Sequence, residues 1–122
     1  MGYNSSYGLT VYDINTKQPI SGDEFHKIAT SIAYEPTGER EDDDEVDSPF
    51  DQIDNGWAGG YSKWYDMEEC LIEASFLHPN AVFVLDVEGK DQDNVYRLVV
   101  NNGVGKSWHK PVVDPPDWED IL

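Results

Sequence analysis

Carboxylates dominate the chemistry available to this chain. Glu39, Glu41, Asp42, Asp43, Asp44, Glu45 and Asp47 crowd the run EREDDDEVD at 39–47, and Arg40 is the one cation among them. Like charge packed so densely stays solvated. Three readings of the block stand side by side. It is a solvated loop without a partner; or its carboxylates line up as phosphates do and occupy a Lys/Arg groove built for nucleic acid; or it gathers a hard cation. Spacing disfavours the cation, because Ca²⁺ and Mg²⁺ need oxygens converging on one point and the block lacks a Gly-turned loop. Asp86, Glu88, Asp91 and Asp93 surround Gly89, but they lack the EF-hand spacing and its closing Glu, so 86–94 reads better as a polar hairpin loop. No metal ligand and no cofactor is assigned.

Further carboxylates follow at Asp51 and Asp54, and a second patch at Asp114, Asp117, Glu119 and Asp120. Aromatic residues stand beside both sets. Trp57, Tyr61, Trp64 and Tyr65 cluster after the acidic block, and Trp118 lies within the second patch. Aromatics next to carboxylates suit a protein interface, in which Trp and Tyr anchor while the charges steer a basic partner. Trp57, set between Gly56 and Gly59-Gly60, is either such an anchor at a loop tip or a ring folded back over the sheet. Trp118, Ile121 and Leu122 likewise suit docking on a partner, on a second copy, or on the chain's own sheet face.

Catalytic patterns are missing from the sequence. His26, His78 and His109 are scattered without ligand spacing, and there is no Gly-rich phosphate loop, Ser-nucleophile elbow or HExxH. Cys70 falls on an apolar helical stripe, so it is expected to be buried and inert. His78 ends a helix, where an imidazolium would meet the dipole favourably. No catalytic residue is assigned, and the chain is not expected to be an enzyme.

Charge narrows the partners. In 122 residues, 25 Asp and Glu face 8 Lys and Arg, for a formal net charge of −17. A field of that sign repels nucleic acid and anionic membranes, attracts basic proteins or cations, and strains the compact state by self-repulsion. A lone cysteine forbids an intramolecular disulfide and fits a reducing cytoplasm. No basic stretch followed by an apolar one opens the chain, so no signal peptide is read. Met1-Gly2 with Ser6 matches the myristoylation pattern only superficially. No apolar run approaches the roughly 20 residues that span a bilayer.

These residues need elements to position them. GLTVY (8–12) alternates as a strand. Ser21 and Glu24 have capping-box spacing, Ile20 and Phe25 staple spacing, and Phe25, Ile28, Ala29, Ile32 and Ala33 recur at helical period until Pro36 and Gly38. A short strand is expected near 50–53, with Asn55-Gly56 and Gly59-Gly60 as turns, and YSKWY (61–65) as the next strand. Asp66 and Glu69 cap a second helix stapled by Tyr65 and Cys70. Its stripe is Met67, Cys70, Leu71, Ala74 and Leu77, widened by Ile72 and Phe76, and Pro79 stops it. AVFVL (81–85) reads as a central strand buried on both faces. VYRLVV (95–100), the turn Asn102-Gly103 and a strand near 106–109 complete the list. The fold class expected is α+β: a ferredoxin-like split βαβ plan, an antiparallel sheet with two helices on one face, plus an extra C-terminal hairpin strand. The domain spans 1–113 with an acidic loop at 36–48, and 114–122 forms an acidic tail.

The helix opening PISGDEF (19–25), KWYDMEE (63–69), HPNAVF (78–83) and Glu88-Gly89 after the long strand resemble small ferredoxin-fold proteins of phages and plasmids, the YubB-like group. The likeness covers roughly residues 8–104, and its markers are structural. It implies the fold and a mobile-element origin, and it carries no catalytic residues. The EREDDDEVD block and the DPPDWEDIL tail depart from the pattern. Together with the charge, the resemblance implies an inhibitor of the anti-CRISPR or DNA-mimic kind. Such a protein would act in the host cytoplasm on a basic partner, a CRISPR effector or another nucleic-acid-binding protein. The carboxylates of 39–54 and the tail would then fill the partner's groove, with Trp57 and Tyr61 as anchors. Two alternatives stay open: an accessory protein that dimerises through the open sheet face, and a metal- or small-ligand-binding protein.

Overall fold

The computed structural model describes residues 5–32, 49–62, 67–88, 95–109 and 121. Its elements are β1 (Ser5–Asp13), α1 (Gly22–Thr30), β2 (Gln52–Ile53), β3 (Ala58–Ser62), α2 (Met67–Leu77), β4 (Ala81–Glu88), β5 (Val95–Asn101) and β6 (Val104–His109). The strands form one six-stranded antiparallel sheet in the order β2-β3-β1-β4-β5-β6, and with the two helices the fold class is α+β. Because every neighbour is antiparallel, β1 and β2 run the same way with β3 between them. By the same logic β3 and β4 run the same way with β1 between them.

Strand alternation divides the side chains between two faces. Tyr7, Leu9 and Val11 of β1, Ala81, Phe83, Leu85 and Val87 of β4, and Leu98 and Val100 of β5 meet Phe25, Ile28 and Ala29 of α1 and Met67, Cys70, Leu71 and Ala74 of α2 in the main core. Both helices therefore lie on the same face. Ile32, just past α1, is fully buried in that core as its helical spacing predicts. The opposite face has a smaller cluster of Val82, Val84 and Val99, against which Tyr12, Ile14 and Ile121 pack. The expected burial of β4 on both faces holds from Ala81 to Leu85 and stops at Asp86. The β5–β6 turn has positive φ at Asn102 and Gly103, as the Asn-Gly pair requires of a type I′ hairpin.

Several boundaries differ from expectation, each for a local reason. α1 stops at Thr30, well before Pro36. The Thr30 hydroxyl donates to the carbonyls of His26 and Lys27 and the Ser31 hydroxyl to that of Ile28, which satisfies the last turn from within. Ser21 holds the N-cap position without a side-chain capping bond; the entry is fixed instead by the Gly22 N–H, which donates to the Asn55 carbonyl at 2.6 Å. Gly59 and Gly60, expected as a turn, lie inside β3. Leu77 and Phe76, expected to face inward, are 68% and 63% exposed, and Ser75 is buried in their place. Its hydroxyl donates to the Ile72 carbonyl and accepts from the Gly103 N–H, tying α2 to the β5–β6 turn, while Phe76 lies over Gly103. Ala33, Pro36, Gly38, residues 63–66 and the loop 89–94 lie outside the described residues, and so do the α2 cap and staple and the Ca²⁺-loop reading that depend on them.

Candidate functional site

The sheet face away from the helices is built in cross-strand rows. In one row Gly59 of β3 pairs with Gly8 of β1, Gly8 with Asp86 of β4, Asp86 with Arg97 of β5, and Arg97 with Trp108 of β6. In the next, Tyr61 pairs with Ser6 and Ser6 with Glu88. Two glycines facing each other leave a notch in the first row, and Trp57 fills it. A Cβ at Gly59 would stand 2.1 Å from Cη2 of Trp57, and one at Gly8 would stand 2.6 Å from its Nε1, so neither position admits a side chain while the ring is there. The indole thus folds back over the sheet, one of its two expected placements. Yet Trp57 stays 43% exposed, so it also offers ring surface to solvent.

Beside the ring, Asp86 and Arg97 pair through both prongs of the guanidinium, Nε–Oδ1 at 2.5 Å and Nη2–Oδ2 at 2.9 Å. Fork-to-fork geometry of this kind fixes both side chains in orientation. With Ser6, Gly8, Thr10, Trp57 and Glu88 they line a groove of about 510 Å³, completed by the intervening Tyr7, Val87 and Tyr96. Glu88 is exposed and, among the described residues, has no ion-pair partner. On the helix side of this end, Tyr96 donates its hydroxyl to Sδ of Met67 at 3.0 Å. Burial, with Glu68 nearby, holds its ionisation above the ordinary phenol value.

Four of the expected partner-binding residues fall on the β2–β3 hairpin. Asp51, Asp54, Trp57 and Tyr61 are all exposed, Tyr61 at 60%. Asp51 accepts the Tyr61 N–H on Oδ2 at 3.1 Å, and Asp54 accepts from Nε2 of Gln52 at 2.8 Å, so both carboxylates are oriented by the hairpin that carries them. The hairpin itself is anchored where the Tyr7 hydroxyl donates to the Pro49 carbonyl and the Tyr7 ring meets Phe50 edge-on. Glu39, Glu41, Asp42, Asp43, Asp44, Glu45 and Asp47, and Asp117, Trp118, Glu119 and Asp120, lie outside the described residues. Ile121, from the same tail, packs on the open sheet face with Val82, Val84 and Val99.

The sequence alone drew no notice to Gly8 or Arg97, suggested only a turn at Gly59, and placed Asp86 and Glu88 in a polar loop. Signals for them existed. Glycine inside a strand marks a close approach by another group, and LDVE places Asp86 and Glu88 on one face with Val87 on the other.

The groups considered for catalysis are dispersed. Cys70 is buried in the core under α2. His26 is exposed on α1, and His78 borders a separate cavity of about 250 Å³ with Asp13, Glu24 and Asn80. Burial, and then the Lys27 charge, lower the His78 pKa, with Glu24 opposing; the helix-end imidazolium expected there is thereby disfavoured. Among the described residues no group of three or more His, Cys, Asp or Glu is placed to hold a metal ion, and no helix is long and apolar enough to cross a membrane. Compared with known proteins, the chain matches no family, no curated protein and no solved structure.

Proposed function

We propose that this protein is an acidic inhibitor of phage or mobile-element origin. It binds a nucleic-acid-binding protein of the host and occupies that protein's basic groove, as anti-CRISPR proteins of the DNA-mimic kind do. The observation that carries this reading is the net charge of −17. Such a field disfavours nucleic acid as a direct ligand and speeds encounter with a basic surface. The hairpin adds support, since Asp51 and Asp54 are held beside two exposed aromatic anchors, Trp57 and Tyr61. The ferredoxin-like plan belongs to the same proposal. Its support is the interleaving of β1-α1-β2 and β3-α2-β4, each pair of parallel strands being split by one antiparallel strand. The protein acts in the host cytoplasm, without catalysis and without a cofactor.

Self-assembly through the open face draws less support. Ile121 of the same chain packs on Val82, Val84 and Val99, and the remainder of that face carries Asp86, Glu88 and Arg97. A purified candidate partner and its nucleic acid test the proposal. The expected result is competition between this protein and nucleic acid for the partner, weakening steeply with salt. Changing Asp42, Asp43 and Asp44 to Asn is expected to lower affinity about tenfold, at roughly 0.5 kcal/mol for each charge removed. Simultaneous binding of nucleic acid and this protein would overturn it.

A further inference from the structure

We propose that the groove between Trp57 and Glu88 receives an arginine side chain from an extended basic segment, a reading that rests on the proposed function and names the contact it would use. Three features converge on a guanidinium. The first is a planar ring, Trp57, seated on Gly8 and Gly59 with much of its surface in solvent. Trp is the strongest of the aromatic faces for a cation, and a guanidinium both stacks on it and is lightly hydrated. The second is a carboxylate at stacking range. Glu88 stands opposite Ser6, one diagonal step across the β1–β4 ladder from Gly8, and such diagonals are about 7–8 Å between backbones, within reach of long side chains. The third is charge balance. Asp86 is engaged by Arg97, and Glu88 leaves the groove with an unneutralised negative charge among the described residues.

The same features disfavour other occupants. A nucleobase would stack on Trp57, but its phosphates would meet the field of a −17 chain. A lysine ammonium finds the charge of Glu88 but lacks both the plane that stacks and the fork that takes two carboxylate oxygens. The Asp86–Arg97 pair already shows that fork-to-carboxylate geometry fits this floor.

A short peptide with one central arginine among Gly and Ser, beside versions with lysine or citrulline in its place, tests this on the full chain. The readout is the Trp57 indole N–H resonance, assigned from its loss in Trp57→Phe. The arginine peptide is expected to shift that resonance saturably, the lysine peptide to bind more weakly, and citrulline to lose about tenfold or more with the charge. Glu88→Gln is expected to weaken the arginine peptide about tenfold, and Trp57→Leu, followed by titration calorimetry because it lacks the reporting indole, about fivefold. Glu88→Gln lies on an exposed position and leaves the glycine notch filled, so it reports even where the Trp57 variants fold poorly. An unmoved indole, equal binding of arginine and citrulline, or a Glu88→Gln chain that binds as wild type would overturn the proposal. So would binding seen only after residues 110–122 are removed, which assigns the groove to the chain's own C-terminal segment. A shift that appears on raising protein concentration alone would assign it to a second copy. Failure here with competition against nucleic acid intact removes the groove and leaves the inhibitor reading. A peptide that binds in a protein that never competes with nucleic acid removes the inhibitor reading and leaves an arginine site.

Discussion

Toward the helices, β4 presents Ala81, Phe83, Leu85 and Val87, all buried; toward the other side it presents Val82 and Val84, buried, and then Asp86 and Glu88, exposed. The helix-facing set is apolar to the end of the strand because two helices cover all of it. The opposite set changes character halfway, where cover by Ile121 gives way to a groove. One strand thus serves a closed core on one face and a divided surface on the other. The closed face accounts for stability. The open half, with its ring held by two glycines and its acidic groups, is where the molecule has surface left for a partner.

Emptying the closed face gives the largest expected effect. Phe83→Ala, at a fully buried position, is expected to cost about 3–5 kcal/mol in denaturant unfolding. A loss below about 1 kcal/mol would mean that the helix-covered core is not where the stability lies. Gly59→Ala acts on the open half. Its Cβ cannot coexist with the Trp57 ring, so a loss of about 1–3 kcal/mol is expected together with a moved Trp57 indole resonance. Gly56→Ala supplies the contrast, because the nearest atom to a Cβ there is at an ordinary 3.7 Å. On the covered half, Ile121→Ala is expected to cost about 1 kcal/mol for a half-buried side chain and to increase binding of an apolar dye. No change in either would remove the distinction between the two halves.

The smallest effect concerns the rim of the closed face. The folded-state pKa of His78 lies below its ordinary value, so the unfolded chain takes up the proton first as pH falls. Its contribution is therefore constant above the ordinary imidazole range and declines as pH drops through about 6.5. Relative to His78→Gln, the wild type should lose melting temperature on acidification over that window. A gain would reverse the sign and contradict the burial that causes the shift.

Much of this division was legible in the residues. The alternation of Leu9 and Val11, the stripe Phe25, Ile28, Ala29 and Ile32, and the apolar run Ala81–Leu85 mark the core directly, since burial is what selects those types. The hairpin at Asn102-Gly103 was equally plain. Where expectation missed, the cause was tertiary. Gly59 and Gly60 look like a turn until Trp57 and Tyr7 are known to lie against them. Leu77 and Phe76 match the helical stripe by type, but the line of burial on α2 passes through Ala74 and Ser75, where the Gly103 N–H gives the serine hydroxyl a partner. The groove was the least legible part, because Trp57 comes from the β2–β3 turn and Asp86 and Arg97 from β4 and β5, whose register no local pattern states.

The claim that the acidic surface occupies a basic nucleic-acid groove is tested most directly by affinity capture from a candidate host, at low and high salt, with and without competing nucleic acid. Wild type, the Asp42, Asp43 and Asp44 to Asn variant, and Glu88→Gln would serve as baits. The expected result is retention of a nucleic-acid-binding protein that is released by salt and by competing nucleic acid, and held less well by both variants. Capture of a partner indifferent to salt, to nucleic acid and to both variants would contradict it.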